Sequence, residues 1–86
     1  MDIKNTKMYM KFSETRKQRD ILSEKYRNKE ITKEEYNKLC DLEWDKFLKY
    51  PEYSEEEQKI NIHEIIKIYN KEQEKMMILI SLQLIT

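Results

Sequence analysis

The sequence predicts an all-α protein, an antiparallel helical hairpin (about 6–28 and 33–50) followed by a long third helix (about 55–84), and three observations carry that expectation. The 86 residues include no Gly, Ala or Val, so tight positive-φ turns and phosphate-cradling loops have only Asn and Asp to draw on. Apolar residues recur at helical rather than alternating spacing. Two boxes of the Ser/Thr-x-x-Glu kind, Thr32 with Glu35 and Ser54 with Glu57, each mark a helix start.

In the first helix Met8, Phe12, Leu22 and Tyr26 fall on one face, with Thr15 and Arg19 at the missing steps of a seven-residue rhythm. Residues 1–5 are expected to be frayed. Asn28 suits the left-handed C-terminal cap, Thr32 and Glu35 restart the chain, and Ile31 with Tyr36 can staple the new helix. This Ile-Thr-x-Glu-Glu-Tyr turn resembles that of short oligomerising hairpins of the SHOCT type, over about one turn and without the usual Gly, and it carries no family assignment.

The second helix presents Tyr36, Leu39, Cys40, Phe47 and Tyr50, with Trp44 on the flank, and ends before Pro51, which disfavours helical geometry in the preceding residue. A short connection makes the two helices antiparallel neighbours. The register then sets Tyr26 by Tyr36, Leu22 by Cys40, Thr15 by Phe47 and Phe12 by Tyr50, and predicts an ion pair between Arg19 and Glu43, the charges that interrupt the two stripes.

Ser54 opens the third helix with Glu55, Glu56 and Glu57 in its first turn, where the helix dipole favours negative charge. An unbroken helix from there to residue 84 would be about 45 Å long and outreach the hairpin. Its last turns are the anomaly, since residues 76–86 carry no charge. Met76, Met77, Ile78, Leu79, Ile80, Leu82, Leu84 and Ile85 point in every direction around a helix, and a helix apolar on all sides must be covered on all sides. A β-strand over 77–85 is the rival local reading. One slender hairpin cannot surround this segment, so the expectation is a homo-oligomer, a dimer or larger, with 76–86 as the association segment of a single small domain.

No chemistry emerges from the remaining residues, and no cofactor, metal or catalytic site is expected. Cys40 has no second Cys for a disulfide or a metal pair, which fits a reducing, cytoplasmic setting. His63 beside the apolar stripe reads as a half-buried imidazole near an interface. The N-terminal apolar residues are too few for a signal peptide, and the tail is about half a membrane span. Lys plus Arg equals Asp plus Glu at 17 each, but residues 1–33 carry ten basic against five acidic residues. A nucleic-acid face on the first helix, built from Lys11, Arg16, Lys17, Lys25, Arg27 and Lys29, is therefore the alternative, weakened by the interleaved Glu14, Asp20 and Glu24. The preferred expectation is a non-enzymatic protein that binds another protein. Trp44, Tyr50 and Tyr53 near the linker are candidate anchors. The Lys-, Ile-, Asn- and Glu-rich composition points to an AT-rich coding sequence and, by frequency, to a phage or mobile-element product acting on a host protein.

Overall fold

In the computed structural model the backbone is described from residue 2 to residue 85 and the side chains from residue 2 to residue 83. Among the described residues the chain forms α1 (Lys7–Arg27), α2 (Lys33–Leu48), α3 (Glu55–Gln58) and α4 (Ile62–Ile85), with no strand. Residues 77–85, where a strand was the rival expectation, are helical.

Residues 2–5, expected to be frayed, instead form a 3-10 turn over Ile3–Asn5. Asp2 caps it, Ile3 packs on the core, and the Thr6 hydroxyl donates to the Ile3 carbonyl at 2.6 Å. The same hydroxyl accepts from the Tyr9 N–H at 3.1 Å and so starts α1.

At the far end of α1, Asn28 is the cap residue with φ −83°, and Lys29 rather than Asn28 takes the left-handed conformation at φ 60°. The hydrogen bonds explain the shift by one residue. Glu30 N–H reaches the Lys25 carbonyl at 2.9 Å and Lys29 N–H the Tyr26 carbonyl at 3.1 Å, the paired bonds of a Schellman motif, whose left-handed residue lies just past the cap. With a Cβ there, Lys29 bears a conformational cost of about 1–2 kcal/mol. Across the turn, both halves of the Thr32–Glu35 capping box form.

At the hairpin tip the expected pairing is present. Tyr26 stacks on Tyr36 with centroids 5.3 Å apart, and the Tyr36 hydroxyl lies 3.1 Å from Ser23 Oγ. The pairing slips at the base, where Phe12 meets Phe47 edge-on at 5.7 Å and the Lys11 ammonium lies 4.5 Å over the Tyr50 ring. That slip removes the expected Arg19–Glu43 ion pair. Gln18 and Thr15 line the hollow beside Glu43, and its carboxylate takes Lys46 Nζ at 3.2 Å within α2.

Beyond Pro51 the third helix comes in two pieces instead of one. The Ser54–Glu57 capping box starts α3 as expected, but after Gln58 the chain turns and Asn61 restarts it, its side-chain oxygen accepting the His63 N–H at 3.0 Å. An Asn side chain offers the backbone a bond that competes with helix continuation, which makes position 61 a natural place to break and begin again. The redirection lets α4 lay Ile65 and Tyr69 on the hairpin base. There they join Met8, Phe12, Phe47 and Tyr53 in the core, with Phe47 2% and Ile65 0% exposed. Tyr69 meets Phe12 edge-on at 5.2 Å and Tyr9 at 6.4 Å.

The core thus occupies one corner of the molecule. With extents of 41 × 40 × 17 Å, the fold is a plate less than half as thick as it is wide. Two arms leave the corner, the outer hairpin and the last turns of α4.

Candidate interaction surface

The second arm is the candidate site, and it begins past Glu72, where α4 is tied to the N-terminal turn. Lys4 in the N-terminal turn pairs with Glu72, and Lys75 lies 3.8 Å from the same carboxylate. The Lys4 hydrogen bond holds the Glu72 carboxyl below its ordinary value of 4.5, and the same bond raises Lys4. Met76 still lines the hollow between α1 and α4 with Tyr9 and Tyr69. Past it the helix runs into solvent.

Met76, Met77, Ile78, Leu79, Ile80 and Leu82 are 53–69% exposed, the largest concentration of uncovered apolar side chains among the described residues. Successive residues on a helix turn by about 100°, so these six cover the whole circumference. From Met76 to Leu82 the helix rises about 10 Å, so this apolar girdle presents on the order of 350 Å² to water, within the range of the largest patch on an ordinary monomer. Leu84 and Ile85 belonged to the same expected surface, and their side chains lie outside the described residues.

The junction that aims α4 was not anticipated from the sequence. Glu57 closes its own capping box through the Ser54 N–H at 2.8 Å, and its other oxygen accepts the Lys7 N–H at 2.6 Å. One buried carboxylate thus caps both α3 and the start of α1. The Ser54 N–H chiefly, with the Lys7 and Met8 N–H groups, holds its carboxyl below 4.5 against the opposing effect of burial. The Ser-x-x-Glu spacing revealed the first role; nothing local to residue 57 signalled the second.

The aromatic anchors expected at the linker turn out to be structural. Tyr53 is buried, and its hydroxyl donates to the Phe47 carbonyl at 2.7 Å, satisfying one of the carbonyls left open at the end of α2. It is therefore not a docking residue. Burial, reinforced by the nearby Glu57 charge, pushes its hydroxyl up to about 12. Trp44 and Tyr50 are half-buried and pack on the same cluster, Trp44 against Phe47 at 5.3 Å and Tyr50 against Tyr53 at 5.0 Å. They close the end of the bundle.

The basic residues of α1 do not assemble into a phosphate-tracking face. Lys11 pairs with Glu14 and lies over Tyr50, and Arg27 pairs with Glu24 at 2.7 Å. Arg16 is half-buried with its guanidinium 5.7 Å from the Tyr69 ring centre. Lys17 in the middle of α1, Lys25 in its last turn and Lys29 beyond its cap are exposed.

His63, expected to be half-buried, is exposed in the first turn of α4, far along the chain from the apolar tail. Cys40 is half-buried in α2. Among the described residues no group of three His, Cys, Asp or Glu side chains could hold a metal ion, and no helix is long and apolar enough to cross a membrane. Comparisons with protein families, with curated proteins and with solved structures find no match to this chain.

Proposed function

We propose that this protein acts by binding, not by catalysis, and that it self-associates through the apolar end of α4. The observation that supports the reading is the exposure of six apolar side chains, Met76 to Leu82, on a helix end that its own chain leaves uncovered. Full burial of such a side chain contributes about 1.5–3 kcal/mol, so covering the exposed remainder of all six would contribute about 5–10 kcal/mol per chain. That is comparable with the roughly 4–15 kcal/mol that association costs in lost freedom, so the surface is large enough to drive oligomerisation when each copy contributes one. A protein partner for the assembled form, and a setting in the cytoplasm of a phage- or mobile-element-bearing host, belong to the same proposal. The lone Cys40 suits a reducing compartment.

Sedimentation velocity across the micromolar range tests the reading on the unaltered chain and on a Leu79→Lys, Leu82→Lys double variant. The wild type should sediment as an oligomer and the variant as a monomer with an unchanged far-ultraviolet spectrum, because neither residue touches the core. A wild-type monomer throughout that range would refute self-association.

A further inference from the structure

We infer that the N-terminal turn is a strap over the base of α4, which holds the helix beyond its core anchors and so sets where the held helix ends and the free arm begins. The strap does not depend on what covers the arm.

The core alone grips little of α4. Ile65 and Tyr69 are its buried residues, and with the half-buried Ile62 and Ile66 they span about two turns at the start of a 24-residue helix. Met76 borders the hollow against α1 but is 55% exposed. A helix gripped only at its start should fray from the other end back toward its last buried side chain, here Tyr69. Glu72 lies about one turn beyond that residue. Its carboxylate pairs with the Lys4 ammonium, and among the described residues this is the one ion pair that joins α4 to another element.

Such a pair restrains a helix only if its other end is fixed, and the turn that carries Lys4 is itself tied down. The Asp2 carboxylate accepts the Lys4 N–H and an Asn5 side-chain N–H, both at 3.2 Å. The Thr6 hydroxyl donates to the Ile3 carbonyl at 2.6 Å, and the Ile3 side chain packs on the core. Next along the chain, the Lys7 N–H donates to the buried Glu57 carboxylate at 2.6 Å, which roots the strap on α3. Residues 2–7 therefore grip the pieces on either side of the break at Asn61, α3 through Glu57 and α4 through Glu72. Lys4 and Glu72 stand 68 positions apart in sequence, so the strap couples the first turn of the chain to its last helix.

Hydrogen exchange of the dilute full chain tests the strap at the amides of residues 73–76, whose helical bonds go to the carbonyls of residues 69–72. Lys4→Glu should speed exchange there about 2–5-fold, the size expected from loss of an exposed ion pair, and leave the amides of Phe12 and Phe47 unchanged. In a Glu72→Gln background the same substitution should have no effect, since the pair is already gone. Asp2→Ala, which unties the turn without touching α4, should act in the same direction as Lys4→Glu. An unchanged rate at 73–76 in Lys4→Glu, or an equal increase in the Glu72→Gln background, would overturn the strap. So would an equal acceleration of the Phe12 and Phe47 amides, because Lys4 would then support the whole fold and not α4 in particular.

Discussion

Replacing Phe47 by Ala should remove a large part of this protein's stability, because Phe47 is where the pieces of the fold meet. Its ring is 2% exposed and touches Phe12 from α1 at 5.7 Å, Trp44 from α2 at 5.3 Å and Tyr53 from the linker at 6.3 Å. Truncating a buried Phe to Ala costs about 3–5 kcal/mol in lost burial and residual cavity. The three ring contacts place this site at the upper end, since each aromatic pair contributes about 0.5–1.5 kcal/mol beyond its area. A domain of this size has only about 4–13 kcal/mol in total. Phe47→Leu keeps most of the apolar volume but loses the ring geometry and should cost about 1–2 kcal/mol. Urea unfolding followed by the fluorescence of Trp44 reads the change next to the site. The comparison is cleanest in the Leu79→Lys, Leu82→Lys background, where association does not add to apparent stability. A loss below about 1 kcal/mol for Phe47→Ala, or equal losses for Ala and Leu, would show that the aromatic cluster is not the organising core.

Three further outcomes follow from the geometry. Lys29→Gly should raise stability by about 0.5–1 kcal/mol, since Gly relieves the left-handed strain at φ 60° and gives back part of the gain as unfolded-chain entropy; thermal melting checks it. Glu57 sits below its ordinary value of 4.5 in the fold, so its contribution is present above the normal carboxylate range and is lost as pH falls through the lowered value. Glu57→Gln should therefore be less stable than wild type at neutral pH and show a flatter acid limb in pH-dependent urea midpoints. Tyr53 is raised from 10.0 to about 12. Its contribution is complete below pH 10 and disappears as pH rises toward 12, so ultraviolet titration should show one tyrosine ionising last, with Tyr53→Phe removing that step.

Much of this architecture was readable from local chemistry. Thr32 with Glu35 and Ser54 with Glu57 placed two helix starts because capping is a matter of a few neighbouring atoms, and the uncharged run after Lys75 identified the exposed arm from composition alone. Errors arose where a choice depended on the third dimension. Asn61 could have been read as a cap, followed as it is by Glu64, but the apolar stripe continues through it, and only the need to seat Ile65 and Tyr69 on the hairpin base decides the break. Arg19 and Glu43 matched in a straight register, yet the helices slip where Phe12 takes the place beside Phe47. Tyr53 looked like a surface anchor because linkers are usually exposed. Its hydroxyl instead closes the end of α2, a role that depends on how Pro51 and Glu52 turn the chain back.

Self-association should change the backbone from Met76 to Gln83 when copies of the chain meet, and hydrogen exchange resolved by peptide reads that directly. A helix end exposed on all sides opens readily, since short helices alone are marginal in water. Dilute protein should therefore exchange quickly over 76–83, while Phe47 and Ile65 peptides stay protected. At high concentration the tail should become protected with little change in the core peptides. Protection over 76–83 that is the same at both concentrations would contradict the central claim.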